Sequence, residues 1–241
     1  MTKVEVKHIG GIDVEVNRKS IQNIHLSVLP PNGKVRLSVP FETRDSAIRL
    51  AIVNKLDWIK QQQTGFVEQR RQSEREMVDG ECHYLWGFRH RLMVTKARGS
   101  YGVKVRGQKR LEIAVGRSTT LDNKVKLLNQ FYREEMQVTL AKLLPAWEKK
   151  IGVQSNSIGI KKMKTKWGSC NIQARRVWLN LELAKKPIEC LEYILVHELV
   201  HLHERHHNSR FQALMDKHMP NWRERRNLLN SLPLAYEDWS Y

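Results

Sequence analysis

Residues 187–201 read Pro187-Ile-Glu-Cys190-Leu-Glu-Tyr-Ile-Leu-Val-His197-Glu198-Leu-Val-His201. Proline suits the first turn of a helix, and no breaker follows it for fourteen residues. Leu191, Leu195, Leu199 and Leu202 form one apolar stripe, and Val196 and Val200 add apolar cover elsewhere, so this helix is largely buried. His197 and His201 are four residues apart and share a face, with Cβ atoms about 5–6 Å apart. Buried imidazoles and carboxylates left unpaired cost about 1–3 kcal/mol each, and charges cost more. A metal ion is an economical partner for two such rings, with Glu198 placed to take a proton from a bound water. With 10 histidines in 241 residues, chance gives this five-residue pattern only about 0.03 times. The bland alternative is a helix whose histidines merely hydrogen-bond their neighbours.

A catalytic zinc site wants a third protein ligand. His203, Glu204, His206 and His207 are the nearby candidates. On an unbroken helix residue 207 would lie about 15 Å from residue 197. A distal ligand therefore requires the helix to stop soon after His201 and the chain to turn back. Asn208 or Ser209 can cap a following helix carrying Phe211, Leu214 and Met215. His207 has the ten-residue spacing of HExxHxxGxxH sites, although position 204 is Glu where that pattern has Gly.

Upstream, residues 121–150 follow three-to-four spacing through Leu121, Val125, Leu128, Tyr132, Met136, Leu140, Leu143 and Trp147. Pro145 is placed to kink the last turn, and Gly152 to end it. Strand-like Ser157–Lys164 and Arg176–Leu181 come next, with Lys166-Trp-Gly-Ser-Cys170 leading into the loop between them. Further toward the N-terminus, residues 3–39 alternate with period two, and Pro30-Pro31-Asn-Gly33 is a hairpin signal. One helix is expected over about 45–63, then a polar helical extension or linker over 61–77. Strands return over 83–95 and 101–115. Val35-Arg-Leu-Ser-Val39 resembles His90-Arg-Leu-Met-Val94 too weakly to define a repeat. The expected fold class is α+β: a β-rich N-terminal region, residues 1–117 with one helix, then a zincin-like helical domain with a small β-sheet over 118–241.

Lys plus Arg number 42 against 25 Asp plus Glu, for a net charge of +17 that divides as +10 over residues 1–117 and +7 over 118–241. The charge belongs to folded sequence, where it is either a solvated surface or an attraction to polyanions. No apolar run approaches the ~20 residues of a membrane span. Cys82, Cys170 and Cys190 are odd in number and far apart, which is no disulfide framework, and the N-terminus has no apolar signal core. The cytoplasm is the expected location. Cys82 and Cys190 read as small core residues.

Taken together, Lys166-Trp-Gly-Ser-Cys170, Leu179-Asn-Leu181, Pro187, His197-Glu-Leu-Val-His201, His207 and Phe211 resemble the bacterial YgjP-like family of zinc metallopeptidases, itself similar to SprT-like and WLM metallopeptidases. The resemblance covers residues 160–230 most closely, His218-Met-Pro-Asn-Trp222 included. It implies His197, His201 and His207 as metal ligands, Zn²⁺ (or another divalent metal) as cofactor, Glu198 as catalytic acid/base and a peptide or protein substrate. It also puts the 167–170 segment beside the active site. There Trp167, Ser169 and Cys170 are candidate substrate-binding residues, and an exposed strand edge could pair with an extended peptide. Cys170 is also a candidate soft fourth ligand; otherwise the segment is a packed Trp and a tight Gly turn. Tyr193, His206 and Arg225 are candidates for stabilising an oxyanion. A second reading is a metal-dependent hydrolase of nucleotide phosphoanhydrides, a nucleoside triphosphate pyrophosphatase, although the glycines at 99, 102 and 107 lack a GK[ST] ending. A third is a nucleic-acid-associated module with structural zinc, motivated by the basic surface and by Arg223, Arg225 and Arg226.

Overall fold

The computed structural model describes residues 3–29, 32–68, 75–97 and 99–233. Pro30 and Pro31 of the expected turn, and residues 69–74 of the expected polar segment, lie outside these. The chain divides into two compact units, Met1–Gln72 and Ser73–Ala235.

In the first unit, β1 (Lys3–Ile9), β2 (Ile12–Lys19), β3 (His25–Leu29) and β4 (Lys34–Pro40) form a sheet in the order β1-β2-β4-β3. The two outer pairings are antiparallel and the central β2–β4 pairing is parallel. Gly10 and Gly11, at φ +61° and +78°, make the tight turn between β1 and β2, which only a residue without Cβ adopts easily. Alternation in β4 buries Val35, Leu37 and Val39 against Ile48, Ile52 and Ile59. Those isoleucines come from two helices, α1 (Asp45–Val53) and α2 (Leu56–Glu68), where one was expected over 45–63. The interruption is a single tightened turn, in which the amides of Asn54 and Lys55 donate to the carbonyls of Leu50 and Ile52.

The second unit opens with β5 (Cys82–Leu85), β6 (Phe88–Lys96), β7 (Gly102–Arg106) and β8 (Arg110–Val115), in the order β5-β6-β8-β7. Leu92, Leu111, Ile113 and Val115 of this sheet share one core with Tyr132, Met136 and Leu195. The division of the chain therefore falls at 72/73 and not at 117/118: the apolar face of β5–β8 is buried by the helices that follow it. α3 (Leu121–Ile151) starts where Thr120 Oγ1 accepts from the Asn123 amide, passes through Pro145, and ends at Gly152 with φ +76°. β9 (Ser157–Lys161), β10 (Gly168–Asn171) and β11 (Arg176–Asn180) form a small sheet with β11 central and β10 at an edge. Residues 168–171, within the segment expected to lead into a loop and to offer a strand edge, are an edge strand antiparallel to β11. A three-ten turn at Leu181–Lys185 leads into α4 (Ile188–Val200), α5 (Ser209–His218) and α6 (Trp222–Ser231). The architecture is α+β, as expected. Among the described residues no helix is long and apolar enough to cross a membrane.

Candidate metal centre

α4 buries nine of its residues, and it stops where the geometry of a third ligand requires. His201 is its C-cap residue, and the chain turns back over 201–208. Asn208 Oδ1 accepts from the Phe211 amide at 3.0 Å and starts α5. The turn brings His207 to α4, and ligand nitrogens of His197, His201 and His207 all lie within 4.8 Å of one another. His207 Nε2 is 2.9 Å from His197 Nε2. Phe211 buttresses the group, its ring 4.8–4.9 Å from each imidazole centroid. His203, Glu204 and His206 lie outside this cluster of nitrogens.

The donor set fits a cation. His201 Nδ1 is 3.0 Å from the Glu204 carbonyl, so that nitrogen carries the proton and donates, leaving Nε2 as the lone-pair donor. Glu204 in turn accepts from the His206 amide, which fixes the loop. Two ring nitrogens facing each other at 2.9 Å have at most one proton between them while neutral, and His197 Nδ1 is buried without a hydrogen-bond partner. Burial, and then the neighbouring imidazoles, push His197 down to about 3. Burial thus favours the neutral form of His197 and of His201, the state in which imidazole ligates.

Glu198 is 5% exposed. Burial pushes its carboxyl up to about 8, against the pull of the Lys166 ammonium. It lies against β10: a Cβ on Gly168 would sit 2.5 Å from Glu198 Oε1. That explains the glycine, whose role is close approach of two elements. The segment before β10 is pinned by Asn180, a buried residue that enters the family resemblance only as part of Leu179-Asn-Leu181, with no structural role assigned. Its Nδ2 donates to the carbonyls of Met163 and Lys166, and its Oδ1 accepts from the amides of Met163 and Glu182.

Lys166, residues 168–173 and part of the 197–207 segment line a cleft of about 890 Å³. Ser169 and Cys170 are on its wall, with His197, Glu198, His201 and His207. Trp167 is not on that wall; it packs on the core, with Lys186 Nζ 5.9 Å from its ring. Burial pushes the Cys170 thiol up to about 11, away from the thiolate that ligates metals, and it is not grouped with the histidines. Tyr193, His206 and Arg225 are absent from the lining. Tyr193 packs edge-on to His197 and stacks on Trp222, while Arg225 is ion-paired to Glu192. Arg223 is likewise paired, to Asp216, so the C-terminal arginines are mostly satisfied within the fold. Of the other two thiols, Cys190 is in the core, whereas Cys82 is half-buried and its sulfur accepts from Arg89 Nε.

An imidazole triad that could hold a metal ion thus stands beside a buried carboxylate, in a cleft walled by an edge strand. The chain belongs to the YgjP-like family: the family model described as YgjP-like, metallopeptidase domain, matches residues 22–232. Comparison with curated proteins finds no match. Among solved structures, the metallopeptidase zymogen of Pyrococcus abyssi abylysin is similar, at 22% identity and a TM-score of 0.35 over 40% of this chain and 99% of that one.

Proposed function

We propose that this chain is a zinc-dependent peptidase whose metal is held by His197, His201 and His207, with Glu198 as general base and then general acid. The observation that carries the reading is the closeness of the three ring nitrogens beside a buried Glu198 on the wall of one cleft. When bound, a divalent ion such as Zn²⁺ supplies Lewis-acid polarisation of the scissile carbonyl and makes the attacking water more acidic. Glu198 Oε1 or Oε2 takes the proton from that water and delivers it to the leaving nitrogen. Without the ion, burial favours the protonated form of this carboxyl and Lys166 opposes it; a bound cation would add to the pull of Lys166. The free edge of β10 supports binding of an extended peptide by strand addition. Gly168, Ser169 and Cys170 of that strand then border the scissile bond.

The test is metal analysis joined to a casein assay. Glu198→Gln is expected to retain one metal ion per chain and lose at least 100-fold in peptide release. His207→Ala is expected to lose the metal. Full activity in Glu198→Gln would refute the assignment. Release of phosphate or pyrophosphate from nucleoside triphosphates, with no peptide release, would replace it by the phosphohydrolase reading.

A further inference from the structure

The sheet β5-β6-β8-β7 has one face on the core and one in solvent, and its register concentrates charge on the solvent face. Arg91 on β6 is the partner of Arg110 on β8, and Arg110 is the partner of Arg106 on β7. Three arginines therefore stand abreast on strands about 4.8 Å apart. All three are exposed, whereas Leu92 and Leu111, one residue along, are buried. Like charges directly opposite destabilise a sheet. The next rung, Met93–Glu112–Lys104, is balanced, and its carboxylate reaches back to only one of the three, Arg106 Nε, at 2.6 Å. Lys109 adds a further cation in the β7–β8 turn, where residues 106–110 line a depression of about 570 Å³. Arg89, on the same face two residues before Arg91, is exposed. None of these residues lines the metal cleft.

We infer that this face binds single-stranded nucleic acid through its phosphates, independently of the peptidase reading. An array of closely spaced cations carrying one carboxylate is complementary to an anion with regularly repeated charge, and arginine matches phosphate oxygens two at a time. The major groove of B-form DNA admits a helix or a two-stranded ribbon, and this four-stranded face is wider than either. A single strand can lie across such a face with successive phosphates along the arginine row. The basic surface thereby moves from the C-terminal helix, where two of three arginines are paired, to the middle sheet.

The test is fluorescence anisotropy of the full-length protein with a labelled single-stranded DNA of mixed sequence, about 20 nucleotides long. Affinity is expected to fall with salt with a log–log slope of about −2 to −3, for three to four phosphate contacts. Arg110→Glu is expected to weaken binding at least tenfold while leaving the thermal midpoint unchanged or higher. A carboxylate between Arg91 and Arg106 converts two repulsive neighbours into ion pairs, so the lost binding is separable from unfolding. Arg91→Gln, which only deletes a charge, is expected to weaken binding several-fold and lower the salt slope by about 0.7. Absence of binding at about 50 mM salt, unchanged binding in both variants, or preference for a duplex of the same sequence would overturn the proposal.

Discussion

At Gly168 the backbone passes so close to Glu198 that an added Cβ would lie 2.5 Å from Oε1, 2.8 Å from Cγ and 2.9 Å from Cδ. Contact with three atoms of one buried side chain cannot be relieved by swinging only its tip. Gly168→Ala is therefore expected to displace the carboxylate, cutting kcat/KM on casein at least tenfold and costing about 1–3 kcal/mol in stability. Its metal content should stay at wild-type level, because no imidazole is touched. A normal kcat/KM in this variant would mean that the position of Glu198 is not what the reaction needs. The contrast with His197 and His201 shows what a sequence displays at this scale. Four-residue spacing on a helix is written in the chain itself, so that pair was legible, and so was the apolar stripe around it. The roles of Gly168 and Asn180 were not. Asn180 makes four hydrogen bonds, three of them to residues 163 and 166. That closeness exists only once β11 has met the segment before β10.

Among the elements, the end of α4 and the start of α5 decide whether a third imidazole arrives at all. The requirement for a stop after His201 followed from helix rise alone, and the caps around Asn208 made it physically reasonable. Asn208 Oδ1 satisfies an amide at the start of α5, so its loss costs about 1 kcal/mol. Because Asn208 directly follows His207, the cost falls on the ring that must converge. Asn208→Ala is expected to weaken metal affinity about tenfold, measured by competition with a chelating dye, while Asn208→Ser, which keeps a capping oxygen, restores most of it. Equal affinities in the three proteins would detach the cap from the site. Other elements were harder to read. β10 is four residues long and carries no alternating apolar pattern, since its sequence is Gly-Ser-Cys-Asn. Its strand character comes from pairing with β11, which a local reading does not contain. The break between α1 and α2 escaped for the opposite reason: Ile48, Ile52 and Ile59 keep helical phase across one tightened turn.

Over the molecule as a whole, β5–β8 repeat the order and directions of β1–β4, antiparallel, parallel, antiparallel. The sequence hinted at this through residues 35–39 and 90–94, yet those are β4 and β6, which are not topological equivalents. β4 corresponds to β8, where Leu111, Ile113 and Val115 alternate as Val35, Leu37 and Val39 do. The second unit adds buried histidines, and these set how its stability depends on pH. His83 is 4% exposed; burial, assisted by Arg75 and Lys185, holds its imidazole below the usual range, against Glu81 Oε1 at 3.6 Å. Burial also lowers His197, His201 and His218. For each, the unfolded chain binds a proton below about pH 6.5 while the folded chain stays neutral. Unfolding then takes up protons at these histidines, so their contribution to stability falls as pH drops from 6.5, by up to about 1.4 kcal/mol per pH unit for each proton. Glu198, with its carboxyl raised by burial, releases one on unfolding and opposes them above about pH 4.5. Glu112, Glu204 and Asp216, held low by hydrogen bonds to Arg106, the His206 amide and Arg223, act with the same sign as the histidines but only below about pH 4.5. The two windows are separable by urea unfolding of chelator-treated protein at intervals from pH 7.5 to pH 4. His83→Leu should reduce proton uptake between pH 6 and 5 by nearly one and leave the lower window in place. A profile parallel to wild type through that interval would show that His83 is already protonated in the fold, paired with Glu81.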